Sequence, residues 1–174
     1  MAIKKILTEP NKFLRQISKP VERVGDCEKE IMKDMLDTMY MAIGIGLAAI
    51  QIGIPKRIIV IDISKEENKK NPMYFVNPKI IKKNNTNSTY EEGCLSVPNQ
   101  FAEIDRPSKC EVEYLDYNDD KQTLKVEGLL ATCIQHEIDH LEGILFIDYL
   151  SKLKKEMIIK KLSKQQVKPD RIIV

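Results

Sequence analysis

Two histidines occur in the 174 residues, and they stand four apart in His136-Glu137-Ile138-Asp139-His140. On an α-helix, residues i and i+4 share a face, so both imidazoles can reach one metal ion. Glu137, directly after the first histidine, can lean over the ion's open position as a general base. The plainer reading is two histidines hydrogen-bonded at a helix end. It leaves four polar side chains on an apolar helix in need of partners, which a metal supplies. A catalytic ion of this type takes a third protein donor besides water. One protease class places a histidine where Phe146 stands, so that class is excluded. Another takes a glutamate from a later helix, but Glu156 lies among lysines. The cysteines remain. Cys133 lies seven residues before His140, about 10 Å along a helix axis, too far to converge with both imidazoles. It reads as core packing. Cys27 sits in a charged stretch and Cys110 in an alternating strand. Cys94 differs: in Glu92-Gly93-Cys94-Leu95-Ser96 the glycine allows close backbone approach between extended flanks. It is the best third donor, and its thiolate would offset one of the ion's two charges.

These donors need elements to carry them. Residues 129–141 are apolar nearly all round and predict a buried helix, favoured at its start by Glu127 and closed by Gly143. Ile31, Met35, Leu36, Met39 and Tyr40 recur at helical spacing, with Asp26 as the cap and an end near Gly44. Pro10 and Pro20 bracket a turn of helix and an extended lead-in. Gly53 and Pro55 mark a turn before a β-branched strand over 57–63. Residues 73–77 and 79–81 read as strands broken at Pro78, and 88–95 and 100–106 as two more. Residues 109–117 alternate, Asn118-Asp119-Asp120 makes a hairpin turn, and 124–126 return. Residues 64–72 and 82–89 read as polar loops, the second mobile. A last helix runs from about Asp148 into the 160s, with Leu150, Leu153, Met157, Ile158 and Leu162 as its inner stripe. Strands between helices, hairpin connections and no βαβ rhythm give an α+β fold. Its mixed or antiparallel sheets pack around the buried HExxH helix, and a C-terminal helix follows.

The size, 20.1 kDa, suits one domain over residues 1–174, and neither an internal repeat nor a linker divides it. Apolar residues at 43% and charged residues at 31% exclude a disordered or fibrous chain. No apolar run approaches the ~18–20 residues that span a bilayer. The first fifteen residues lack a signal-peptide core, so a cytoplasmic location is expected. There, four cysteines serve as thiols or metal ligands rather than a disulfide framework. Charge is split: residues 151–174 hold eight Lys/Arg against two acids, whereas 1–150 hold twenty against twenty-four. The basic tail, 148–174, is either a solvated helix face or a docking element for an anionic partner such as RNA. Residues 151–174 lack aromatic residues to stack on bases, which argues against sequence-specific single-strand recognition.

Three blocks, Gly44-Ile45-Gly46-Leu47-Ala48-Ala49-Ile50-Gln51, Glu92-Gly93-Cys94-Leu95-Ser96 and Gln135-His136-Glu137-Ile138-Asp139-His140, follow in order. In this the sequence resembles the peptide deformylases, over about residues 3–160. The resemblance implies a metal-dependent hydrolase that takes formate from the N-formyl-methionine of nascent bacterial proteins. It implies that Cys94, His136 and His140 hold one divalent metal, Fe(II) foremost, with Zn, Ni or Co as substitutes. It implies that Glu137 moves the proton and that the Gln51 amide and the Leu95 backbone N–H stabilise the oxyanion. An extended substrate would pair near Gly44–Gly46, and Ile45, Ile134, Cys133 and Leu129 or Leu130 would form the methionine pocket. Arg106 would partner a buried Asp139. Two positions depart from the family pattern: Phe101 where many members carry arginine, and Ile43 where many carry an acid. A more apolar pocket rim and altered recognition of the peptide's polar groups are the expectation. The resemblance also implies a ribosome-docking role for Lys152, Lys154, Lys155, Lys160, Lys161 and Lys164. A monomer with no membrane attachment is expected. Two alternatives stand beside this: a metallopeptidase cutting internal bonds, and a closed structural zinc site in an RNA-binding module, which needs a fourth protein donor.

Overall fold

A run of four β-branched residues, Ile58-Ile59-Val60-Ile61, forms strand β2 (Ile58–Ile61) and buries every side chain. Such a strand must be covered on both faces. The computed structural model, which describes residues 2–64 and 69–166, shows how. Helix α1 (Asp26–Met41) covers one face: Met32, Met35, Leu36 and Met39 pack with Ile58 and Val60. The other face, with Ile59, Ile61, Phe75 and Val112, meets Ala131, Ile134 and Leu141 of a later helix, α2 (Gly128–Leu141).

The sheet between them has five antiparallel strands. Besides β2 they are β1 (Gly46–Ala48), β3 (Met73–Lys83), β6 (Lys109–Leu115) and β7 (Lys121–Glu127), in the order β1-β2-β3-β6-β7. Strands β4 (Asn87–Cys94) and β5 (Val97–Pro107) form a separate antiparallel hairpin. It packs with a 3-10 turn, Phe146–Tyr149, and with helix α3 (Lys152–Gln166) in a third apolar cluster around Val97, Ile104, Phe146 and Leu162. The expected α+β class, with a buried HExxH helix and a C-terminal helix, is the observed one.

Several local expectations are corrected. The polar stretch 82–89 is mostly strand, because β3 runs to Lys83 and β4 starts at Asn87. Asn85, Thr86, Asn87 and Thr89 are exposed, and the connection is tied down by half-buried Asn84, whose amide donates to Ser108 Oγ and accepts from the Lys109 N–H. Pro78 does not break β3. The ladder to β6 slips between Val76 and Lys79, and Asn77, at φ 51°, trades the lost pairing for hydrogen bonds to the Val21 N–H and C=O. The cap of α1 is Gly25, not Asp26, with Glu28 reaching back to the Gly25 N–H at 3.2 Å. In α3, Leu162 is buried and Ile158 half-buried, but Leu153 and Met157 are 69% and 64% exposed. The helix leans on β5 and the 3-10 turn along one narrow line, so the stripe is thinner than its apolar residues suggest. Residues 167–174, the end of the basic tail, lie outside the described residues.

Candidate metal centre

Helix α2 enters directly from β7 and is apolar enough to be buried along most of its length. Residues 129, 132, 133, 136 and 137 recur at i, i+3, i+4, i+7 and i+8, which puts them on one face, toward a cleft of about 500 Å³. The cleft's other walls are the small-residue stretch Ala42–Gly46 and the rim of the β4–β5 hairpin, including Leu95, Gln100 and Phe101. At its floor the last residue of β4 meets the helix. The Cys94 sulfur is 3.2 Å from His140 Nε2. Donor atoms of Cys94, His136 and His140 all lie within 4.8 Å of one another. A tetrahedral ion spaces sulfur and nitrogen donors about 3.5 Å apart, so the set fits a divalent metal. One further atom points the same way: Glu137 Oε2 is buried with no hydrogen-bond partner among the described residues.

The surroundings orient the donors. His136 Nδ1 donates to Glu92 Oε2 at 2.8 Å, leaving Nε2 for the ion. Glu92 is itself gripped by the Arg106 fork, at 2.5 and 3.0 Å. Arg106 continues to Asp139 at 2.7 Å, and the Tyr149 hydroxyl donates to the same carboxylate at 2.8 Å. The expected Arg106–Asp139 pair is therefore present, within a larger network. Burial, followed by the charge on His136, holds His140 well below the usual histidine range. Burial works against charge on His136 as well, but its hydrogen bonds to Cys94 and Glu92 outweigh it and raise that pKa. Burial pushes the Glu137 carboxyl up to about 7, against the pull of His136.

Gln51 stands on the opposite wall, in a 3-10 turn (Ala49–Ile52) that follows β1. Its Oε1 accepts from the Ala48 N–H at 2.8 Å, which turns Nε2 toward Ser96 Oγ at 3.0 Å and Cys94 Sγ at 3.6 Å. Gly46 passes so close to Glu137 that a Cβ there would lie 2.4 Å from Oε1. Strand β1 pairs with β2 alone, so its outer edge has no strand partner among the described residues.

Most residues singled out from the sequence converge here: Cys94, His136, His140, Glu137, Gln51, Leu95, Gly44, Ile45, Gly46, Cys133 and Leu129 line the cleft or its floor. Ile134 does not. It is 0% exposed in the core with Phe75 and Val112, because it sits two positions, about 200°, around the helix from His136. Leu130 likewise packs against that core. Phe101 lies at the rim and Ile43 at the mouth, the latter at φ 57°. Phe146 is core, and Glu156 is exposed on α3 beside Lys152, so neither competes as a ligand. Sequence reasoning missed Glu92. It is two residues before Cys94 and on the same hairpin strand, and a carboxylate at that offset from a ligand was the available signal.

An HExxH helix, a cysteine donor from a hairpin and no fourth protein donor in the described group define a metal-dependent hydrolase with an open catalytic site. The polypeptide deformylase family model matches residues 3–156. Over the whole length of both chains, the sequence is 75% identical to the peptide deformylase of Pelagibacter ubique. It is 52% identical to that of Rhizobium meliloti over 94% of each chain. The fold is similar to the crystal structure of peptide deformylase from Ehrlichia chaffeensis in complex with actinonin. That match has TM-score 0.90 and 41% identity, covering 97% of this chain and all of the other. The chain belongs to the polypeptide deformylase family, and its reaction is metal-dependent removal of the formyl group from N-formyl-methionine at the start of nascent proteins.

Proposed function

We propose the following division of labour for that reaction. Cys94, His136 and His140 hold one divalent ion. Fe(II) is the foremost candidate, with Zn, Ni or Co able to take the same donors. When bound, the ion supplies positive charge that acidifies water and polarises a carbonyl. Glu137, whose second carboxylate oxygen is buried without a partner, takes the proton of the attacking water and returns it to the departing amine. Charge growing on the formyl oxygen is met by Gln51 Nε2, held in place by the Ala48 N–H, and by the backbone N–H of Leu95. One such donor is worth ~3 kcal/mol of barrier. The peptide lies extended along the free edge of β1, where Gly44 and Gly46 let it approach, and pairs with it backbone to backbone. The methionine side chain goes between Ile45, Cys133 and Leu129. Arg106 and Asp139 act through Glu92 and the helix, as positioning residues.

The observation that carries this reading is the meeting of two buried histidines and the half-buried Cys94, from two separate elements, beside a Glu137 oxygen with no hydrogen-bond partner among the described residues. Formate release from formyl-Met-Ala-Ser tests it. Glu137→Gln removes activity while keeping the metal, a chelator removes both, and acetyl-Met-Ala-Ser yields nothing. Cleavage of internal peptide bonds, or full activity in Glu137→Gln, overturns it. We further propose that residues 1–174 act as one catalytic domain, monomeric and cytoplasmic. The lysines of α3 (Lys152, Lys154, Lys155, Lys160, Lys161 and Lys164) dock it on ribosomal RNA. Support comes from the charge split and from the solvent exposure of most of these lysines. Low-salt co-sedimentation with ribosomes that survives truncation after residue 150 refutes the docking.

A further inference from the structure

Large apolar side chains are left exposed on one side of the cleft mouth. Phe101 on β5 is 66% exposed, and Met157 on α3 is 64% exposed. Both line a groove between β5 and α3, together with Leu150, Ile158, Lys154 and Lys161. Clustered exposure of this kind marks a contact surface. Its position says what it contacts. Phe101 and Gln100 line this groove and the metal cleft alike, so the two are one continuous surface. The Phe101 ring lies against Gly93, where a Cβ would come within 2.6 Å of it, and Gly93 directly precedes Cys94. Consecutive Cα atoms are 3.8 Å apart, and an extended chain advances about 3.3 Å per residue. A formyl group reacting beside Cys94 therefore brings the second or third residue of the peptide to Phe101. The residues after it enter the groove.

We infer that the groove between β5 and α3 is an extended substrate subsite. It receives about residues four to six of the formyl-methionyl chain, and it favours an apolar side chain with an acidic neighbour. This rests on the deformylase reading above and deepens it. The groove's chemistry sets the preference. Phe101 and Met157 offer apolar surface, and methionine adapts to side chains of different shape, as an enzyme meeting many nascent sequences requires. Lys154 and Lys161 flank the groove against a single acid, Glu103, leaving it net positive. The departure from arginine at position 101 thus extends apolar contact away from the ion rather than only altering the rim.

The test compares kcat/KM for formyl-Met-Ala-Ser with two heptapeptides sharing those three residues, one continuing Leu-Leu-Glu-Gly and one Gly-Ser-Gly-Gly. The Leu-containing heptapeptide is expected to be about tenfold better than the other two, mainly through KM. Met157→Glu and the pair Lys154→Glu with Lys161→Glu change exposed positions. Each keeps the tripeptide rate, which doubles as the folding control, and loses most of the heptapeptide advantage. Equal rates for all three peptides in the unaltered protein overturn the subsite. So does an advantage that survives both variants. If the apolar patch instead joins two copies of the chain, sedimentation shows a dimer that Met157→Glu dissociates with peptide preference unchanged, and the subsite is again refuted. Failure to release formate from the tripeptide at all refutes the deformylase chemistry, a distinct outcome.

Discussion

Replacing Gly46 by alanine adds one methyl group, and the structure says where it goes. The new Cβ would lie 2.4 Å from Glu137 Oε1 and 2.9 Å from Cys133 Sγ. Ordinary contact needs about 3.4 Å, so the carboxylate must withdraw by about 1 Å. Both opposing atoms are ends of side chains, not backbone, so the fold yields at modest cost, about 1–3 kcal/mol for added volume in a packed region. Gly46 is not among the residues at positive φ, so alanine meets no backbone strain there. The damage falls on catalysis. A displacement of about 1 Å in a reacting group costs about 100-fold in rate. Gly46→Ala is therefore expected to lower kcat for formyl-Met-Ala-Ser about 100-fold. Metal content should be unchanged, since the added methyl's nearest neighbours belong to Glu137 and Cys133 rather than to the three donors. Formate release, elemental analysis and a urea titration on the same preparation check this. Activity within threefold of the unaltered protein refutes the reasoning, and so does a loss that tracks missing metal or unfolding.

Glu92→Ala removes the partner of His136 and half the pairing of Arg106. Metal affinity should fall 10–100-fold in chelator competition, and stability by about 3–5 kcal/mol in urea. Ile43→Asn should raise stability by about 1 kcal/mol, because Ile43 is exposed at φ 57°, a region costly for a β-branched residue and tolerated by asparagine. Asp148 governs an acid limb. Its burial opposes ionisation, but the Leu145 N–H, Lys155 and Arg15 together hold its pKa below the usual carboxylate range. Its stabilisation is thus complete above about pH 4 and is lost as pH falls through the lowered value. Asp148→Asn should flatten the dependence of the urea midpoint on pH below about 4 and leave a constant deficit at neutrality.

The parts of the site that depend on one helix or one short loop were legible in the sequence. The HExxH spacing alone brings His136, Glu137 and His140 to one face, and the shortage of donors leads to Cys94. The parts that depend on how separate elements meet were not. Strand alternation puts Glu92 on the face of Cys94, but its contact with His136 depends on where the β4–β5 hairpin crosses the helix, which no periodicity encodes. Ile134 is a different kind of miss. The helical phase already puts it opposite His136, and it was drawn into the pocket by its apolar character rather than its angle. Residues 82–89 read as a loop from composition, since solvent-facing positions on a hairpin favour the same polar residues as turns do. Leu153 and Met157 carry a helical apolar stripe, but only the depth of the contact with β5 decides how much of that stripe is covered.

The sulfur donor sits on a ribbon that, among the described residues, pairs with no strand of the main sheet, whereas both imidazoles belong to the central helix. Bound ion and folded ribbon are therefore thermodynamically linked: any ligation through Cys94 tightens the ribbon onto the helix. Stripping the ion should accordingly raise amide exchange first along residues 87–107, well ahead of the five-stranded layer. Metal supply would thus govern the integrity of one wall of the reaction chamber as well as its chemistry.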